Sequence, residues 1–349
     1  MNTLNQATLY IRADASQTIG VGHIMRCLAI GESWKKAGGR VCFLVKDIPS
    51  LLREQLLQQQ FQVLQIPSFT ELQEEIDWLK VNTSQKSAIL LLDGYHFTDS
   101  YQAALKHYFK LVVIDDYSHA NHYYADLILN RNLIADEQLY LDKKQSYTKL
   151  LLGMQYNYIR EEFKKYRRED NNVSANIKNV LINFGGGDSQ NYTEATIRFL
   201  KHTPNIHLTV VVGPAYKGHE KLDETIKQVE GRVTVLQNVN NMAEIMSTVD
   251  VAIIAAGTTL FEAAYVGVPT IAIKTATNQR SVDVFANVYK GTYVIDAIKH
   301  FDAHQFQQAW TYIQSPQNRL NMIRNGQKLA DNEGNQRVIH ELAQLLIKE

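Results

Sequence analysis

Short apolar runs alternate with amphipathic stretches from one end of the chain to the other, the rhythm of repeated βα units around a parallel sheet. In the first half this pattern predicts strands at 8–12, 40–46, 62–66, 87–93 and 110–115, with helical stretches such as 23–37 and 69–83 between them. Two shorter runs, 126–130 and 149–153, read as extensions of the same sheet. From 158 to 179 acids and bases interleave and apolar residues thin out, as in a solvated helix and linker rather than a basic recognition patch. The rhythm then restarts, with strands at 179–184, 207–213, 233–237, 251–255 and 270–274 and helices at 190–201, 241–249, 259–265 and 281–290. The final stretch, 334–349, is an amphipathic helix with Val338, Leu342, Leu345 and Leu346 on one face. The expected organisation is a first α/β domain at 1–157, a linker at 158–178, a second α/β domain at 179–333 and a C-terminal helix at 334–349. In such sheets ligands bind beyond the carboxyl ends of the strands, so the loops there are where chemistry is sought.

The length, 349 residues, agrees with two domains that each bury their own core. Thirty-six Lys and Arg balance 36 Asp and Glu, so no basic excess is present to grip nucleic acid or an anionic membrane surface, and any bound anion must be held locally. No apolar run approaches the ~20 residues of a membrane helix, and the start of the chain lacks the pattern of a signal peptide. Two cysteines, Cys27 and Cys42, cannot build a disulfide framework or a structural zinc site, and a reducing cytoplasm is the simplest compartment.

The loop after the first strand carries Gly20, Val21 and Gly22 and delivers His23 to the first turn of a helix. A helix start suits an anion and disfavours imidazolium, so a neutral His23 is a candidate general base; its alternative is a ring that caps the helix or satisfies a buried carbonyl. The same glycines do not make a dinucleotide fingerprint, because Met25 stands at the third position and residues 13–19 separate the strand from Gly20. Asp14 either orients His23, bonds a sugar hydroxyl, or forms a turn. Arg26 flanks this loop, and Asp93, Tyr95, His96, Asp115 and Asp116 end the fourth and fifth strands. Tyr95 can donate a hydrogen bond to a substrate or leaving phosphate, or simply pack. His119 and His122 read as residues of a loose loop, and neither a metal nor a cofactor is expected.

In the second half, Phe184-Gly185-Gly186-Gly187-Asp188 follows a strand and precedes a helix, so backbone N–H groups can approach a diphosphate. Ala255-Ala256-Gly257-Thr258-Thr259 opens another helix that carries Glu262 one turn in. Glu262 there can accept two ribose hydroxyls or close a capping box with Thr259. Asn241 and Met242 start a helix before that strand, and Thr277, Asn278, Gln279 and Arg280 follow the last expected strand and open one more.

Together and in this order, the His23 loop from Ile11 to Leu28, Ile114 to Tyr117, Gly153 to Phe163, Phe184 to Asp188, Asn241 to Met246, Ala255 to Thr259 and Thr277 to Gln279 resemble the UDP-2,4-diacetamido-2,4,6-trideoxy-β-L-altropyranose hydrolases of pseudaminic acid biosynthesis. That family is similar to two-domain GT-B glycosyltransferases and, more loosely, to spore-coat polysaccharide proteins. The resemblance implies two Rossmann-like domains whose parallel sheets face an interdomain cleft. It also implies a UDP-sugar substrate, and metal-independent, inverting attack of water at the anomeric carbon with C–O cleavage. His23 would be the base, with Asp14 and Tyr95 beside it. Arg12, Gly20, Gly22, Gly186, Met242, Gly257, Thr258, Thr259, Glu262, Asn278 and Gln279 would bind substrate. The alternative is a GT-B glycosyltransferase in which an acceptor hydroxyl replaces water; GT-B-like hydrolases can act as monomers. The sequence departs from the family's usual pattern at Gly257 to Glu262, where Thr258, Thr259, Leu260 and Phe261 stand, and at Thr277, where an acidic residue is common.

Overall fold

The computed structural model describes all residues except 1–3, 5–6, 17–18, 85–87, 170–171, 214, 230–231, 238, 240, 332 and 348–349. Residue 87 of the fourth expected strand, residues 17 and 18 of the His23 loop and residue 240 therefore lie outside the described residues. The chain divides into two compact units, Met1–Glu161 with Asn332–Glu349, and Glu162–Asp331.

The strands of the first unit are β1 (Thr8–Ala13), β2 (Arg40–Val45), β3 (Gln62–Gln65), β4 (Ala88–Asp93), β5 (Lys110–Ile114), β6 (Leu127–Asn130) and β7 (Lys149–Leu152). Its early helices are α1 (Gly22–Lys36), α2 (Ser50–Gln58), α3 (Leu72–Asn82) and α4 (Asp99–Lys106). All seven strands are parallel, in the order β3-β2-β1-β4-β5-β6-β7. Wholly buried β1 and β4 lie at the centre with Ala13 registered beside Asp93, and strand order reverses between them. That reversal opens a crevice beyond the strand ends, the usual ligand position of such sheets.

The second unit begins with α5 (Glu161–Lys164) and continues through β8 (Asn179–Asn183), α6 (Tyr192–Leu200), β9 (His207–Val212), α7 (His219–Ile226), β10 (Val233–Gln237) and α8 (Met242–Thr248). It closes with β11 (Val251–Ala255), α9 (Thr258–Val266), β12 (Thr270–Lys274), α10 (Ser281–Asn287), β13 (Tyr293–Asp296), α11 (Ala303–Gln314) and α12 (Pro316–Leu329). Its sheet is also parallel, β10-β9-β8-β11-β12-β13, with the reversal between β8 and β11. The strand at 270–274 is thus not the last: β13 pairs beyond it, a four-residue edge strand too short and too mixed to stand out by periodicity.

The last helix, α13 (Gly334–Ile347), returns to the first unit, where Val338 and Leu342 enter the core that also holds Ile24, Cys27 and Leu28 of α1. Leu345 and Leu346 pack at its margin, so the apolar face read from the sequence is the docking face. Asn335 fixes the return by accepting from the Ile159 backbone N–H at 2.9 Å and donating to the Ile159 carbonyl at 2.9 Å and to Ser33 Oγ at 2.7 Å. The charged stretch expected as a solvated linker is tied down as well. Arg167 donates to the carbonyls of Ala330 and Gln327, and Arg168 to those of Val249 and Ser247, so these guanidiniums cap chain ends within the second unit. Among the described residues no helix is long and apolar enough to cross a membrane.

Candidate active site

His23 is the second residue of α1, whose first turn carries no side-chain cap. Its ring Nδ1 lies 2.7 Å from Asp93 Oδ1, so the fully buried carboxylate that ends β4 faces the histidine that follows β1. Asp93 also takes two bonds from Arg26, Nε to Oδ2 and Nη2 to Oδ1, both at 2.6 Å, and one from Cys27 Sγ at 3.3 Å. Burial pushes the Asp93 carboxyl up, but Arg26 and His23 outweigh it and hold the group below the usual carboxylate range. The third guanidinium nitrogen of Arg26 donates to both oxygens of Asp116 at 2.8 Å. Asp116 in turn accepts from Tyr95 Oη at 2.7 Å and from Asn132 Nδ2 at 3.2 Å. Tyr95 packs edge-on against His23 with ring centroids 5.2 Å apart. His23, Asp93, Arg26, Asp116 and Tyr95 thus form a closed loop of contacts at the crevice of the first sheet.

This arrangement assigns the protons. With Nδ1–H donated to the ionised Asp93, Nε2 is the ring atom left to act as a base. Tyr95 spends its proton on Asp116, so its oxygen offers a lone pair rather than the donated bond expected of it. The orienting part considered for Asp14 falls to Asp93. Asp14 instead pairs with Arg12 at 2.7 Å and accepts from the backbone of Lys46 at 2.6 Å and of Asp47 at 3.2 Å. Burial raises Asp14, yet His96, Arg12 and the Lys46 N–H together hold it low. Arg12, expected among the substrate contacts, is 1% exposed and bonded to Asp14 and Glu75, so it braces the loop from beneath. Gly20 takes a positive φ of 77° and its N–H donates to the Ser16 carbonyl just before α1, while a Cβ on Gly22 would meet nothing within 4 Å among the described residues.

His119 is not loosely placed: its Nδ1 lies 2.6 Å from Asp115 Oδ1. Asp115 and Asp116 are each committed to cationic or hydroxyl partners, and among the described residues no three His, Cys, Asp or Glu side chains cluster as a metal site. Asp93 and Arg26 are the members of this cluster that periodicity undervalued. Their signals were an acid ending an otherwise apolar strand and an arginine three residues after His23, on the same helix face.

In the second unit, the Gly185-Gly186-Gly187 turn follows β8 and the Gly257 turn follows β11, the two strands at that sheet's reversal. The helix after the glycine run is already capped, because Asp188 accepts from the N–H groups of Tyr192 and Thr193 at 2.9 Å each. Gly186 and Gly213 instead pack backbone to backbone: a Cβ on Gly213 would lie 2.4 Å from Gly186 Cα. Helix α9 differs. It opens at Thr258 with Gly257 as its N-cap and without a side-chain cap bond, so Thr259 is already inside the helix and the capping box with Glu262 does not form. Glu262 is only 3% exposed on the first turns of that helix. A Cβ on Gly257 would meet nothing within 4 Å. Asn241 caps α8 by accepting from Glu244 N at 3.1 Å, with half-buried Met242 next to it. Gln279 accepts from the N–H groups of Thr275 and Ala276 at 2.8 and 3.2 Å, which shapes the loop that leaves Asn278 exposed.

Residues 182–336 match the family model described as "Glycosyltransferase family 28 C-terminal domain", a stretch that includes the Gly186, Gly257 and Asn278 loops. An uncharacterized protein of Methanocaldococcus jannaschii is 26% identical over 313 residues, covering 84% of this chain and 63% of that protein. The chain therefore spans a little under two thirds of that relative's length. The spore coat polysaccharide biosynthesis protein SpsG of Bacillus subtilis is 25% identical over 276 residues, 77% of this chain and 78% of its own. Among solved structures, MurG of Acinetobacter baumannii aligns with a TM-score of 0.64 at 14% identity, covering 97% of this chain and 99% of its own. Phytolacca americana UGT2, solved with UDP-2-fluoro-glucose and pterostilbene, gives 0.68 at 11% identity, covering 98% and 100%. The fold is thus that of GT-B glycosyltransferases, two Rossmann-like units with parallel sheets.

Proposed function

We propose that the protein is a nucleotide-sugar hydrolase that releases UDP from a UDP-diacetamido-trideoxy-hexose by inverting attack of water at the anomeric carbon. The observation that carries this reading is the 2.7 Å pairing of His23 Nδ1 with Asp93 at the strand ends of the first sheet, which leaves Nε2 to act as the base. In the reaction Nε2 takes a proton from water as the water oxygen bonds to the anomeric carbon. The anomeric C–O bond breaks and its electron pair leaves on the β-phosphate oxygen of UDP. Asp93 stabilises the imidazolium that forms, and the proton then passes to solvent. Tyr95, held by Asp116, accepts a hydrogen bond from the water or the sugar.

On the second unit, the uncapped start of α9 at Gly257, Thr258 and Thr259 would take the diphosphate, whose departing charge is met by backbone N–H groups. Glu262 would accept the ribose hydroxyls, with Gly186, Met242, Asn278 and Gln279 around the nucleotide and sugar. Fixed dipoles of this sort supply charge stabilisation without metal. Two free, buried thiols, Cys27 and Cys42, support a reducing cytoplasm as the place of action.

The test is incubation of the protein with the UDP-diacetamido-trideoxy-altropyranose in EDTA, in water enriched in oxygen-18. The label is expected in the sugar, not in UDP, and the first anomer seen by proton NMR is expected to be inverted. Label in UDP, or full turnover by His23→Ala, would overturn the assignment. A second reading, a glycosyltransferase, is favoured by the family 28 match over 182–336. Free sugar released without acceptor, at a rate that adding an acceptor leaves unchanged, separates the hydrolase from it.

A further inference from the structure

A second histidine near Tyr95 is built like the first. His119 Nδ1 lies 2.6 Å from Asp115 Oδ1, and the other oxygen of Asp115 accepts from Tyr140 Oη at 2.5 Å and from Ser118 N at 2.6 Å. In the tautomer that turns its Nδ1 proton to the carboxylate, Nε2 is the acceptor of the ring. The His119 side chain is 7% exposed, and its Nε2 is buried with no hydrogen-bond partner among the described residues. Buried polar atoms are nearly always paired, so an acceptor held this rigidly and left unmatched points to a ligand. Its surroundings agree. The Tyr95 ring is 5.5 Å from His119 and 5.2 Å from His23, so Tyr95 stands between two aspartate-held histidines. Tyr117, 41% exposed, packs on both Tyr95 and His119 with centroids 5.2 and 6.1 Å away.

We infer that His119 contacts the substrate directly, its Nε2 accepting a hydrogen bond from a hydroxyl or amide N–H of the glycosyl group processed at His23, which reaches it as the Tyr117 ring turns aside. The inference rests on the sugar-nucleotide reading above and adds a specificity residue to it. A purely structural histidine would need only its Nδ1–H toward Asp115; Nε2 would have no task.

The experiment uses the full chain with nitrogen-15 histidine and long-range proton–nitrogen NMR, the His119 signals being assigned from their loss in His119→Asn. The Nε2 shift is expected to move on adding the UDP-diacetamido-trideoxy-altropyranose and to stay in place on adding UDP. His119→Asn retains an amide N–H for Asp115 but nothing at the Nε2 position. It is expected to keep the wild-type melting temperature and to raise KM about tenfold with little change in kcat, the scale of one lost hydrogen bond. His119→Gln, with a polar atom near the Nε2 position, is expected to recover part of that loss. An Nε2 shift that ignores the sugar nucleotide, or an unchanged KM in His119→Asn, overturns the inference. A moving Nε2 shift without any UDP release would sustain the His119 contact while sinking the hydrolase reading. Turnover with a static shift would do the reverse.

Discussion

His23 Nδ1 and Asp93 Oδ1 meet at 2.7 Å although 70 residues separate them in the chain. The parallel pairing of β1 with β4 brings them together, because Ala13 and Asp93 end side by side and the loop after Ala13 hands the chain to α1. Replacing Asp93 with Asn removes the carboxylate that fixes the Nδ1 proton and leaves Arg26 half-compensated. UDP release is expected to fall about 10²–10⁴-fold in kcat, the range typical of a lost general base. A variant that turns over at the wild-type rate would show that Asp93 is structural only.

Arg26 is the cation shared by Asp93 and Asp116. Against the desolvation imposed by burial, Asp116 and Asp93 hold it firmly charged. Arg26→Lys keeps the charge but loses the fork that bonds both carboxylates, and Tyr95 loses its fixed partner as Asp116 swings. The expected outcome is a fall of kcat with KM nearly unchanged. Arg26→Ala, which strands the buried Asp93 and the partly buried Asp116, is expected to lower stability by about 3–5 kcal/mol in urea unfolding.

Asp14 gives the molecule an acid-sensitive hold. Its folded carboxyl lies below the ordinary value, so the unfolded chain binds more protons through the window from about pH 3.9 downward, and stability rises with pH there. The contribution is complete above the unfolded pKa and is lost as pH falls through the folded one. The gap in urea midpoint between wild type and Asp14→Asn is therefore expected to be largest near pH 7 and to shrink below about pH 4. A gap constant with pH would dismiss the linkage.

A Cβ on Gly257 would meet nothing within 4 Å among the described residues, and its extended conformation, φ −100° and ψ −152°, is one that a larger residue can adopt. Gly257→Val is expected to leave the melting temperature unchanged and to weaken UDP binding at least about tenfold in calorimetry, because its side chain would stand where the diphosphate is proposed to lie. Glu262→Gln is expected to weaken UDP but to leave 2′-deoxy-UDP, already short of one hydroxyl, much less affected. Equal losses for both nucleotides would remove Glu262 from the ribose.

Gly334 admits no side chain: a Cβ there would sit 1.8 Å from the carbonyl oxygen of Asn157. Gly334→Ala is expected to cost about 1–3 kcal/mol by displacing the start of α13 from the first unit. Chemical unfolding monitored by tryptophan fluorescence would measure it.

The sequence by itself determined the architecture, because strand and helix periods are local. The largely apolar runs of β1, β4, β8 and β11 announce strands buried on both faces, and the spacing between runs demands parallel crossovers. It also located the His23 loop, the two glycine turns and the amphipathic face of α13, each defined by neighbouring residues. Partnership was decided only in three dimensions. The exchange of Asp14 for Asp93 beside His23, the burial of Arg12 among Asp14 and Glu75, the commitment of Asp116 to Arg26 and Tyr95, and the holding of His119 by Asp115 all depend on which strand ends lie together and which way side chains point. The helix that opens at Thr258, which dissolves the capping box with Glu262, turned on a single residue of helix phase. Hydrophobic periodicity fixes which segments are buried; the pairing of charges is fixed by directions and distances of a few ångströms, which exist only after the sheets have formed.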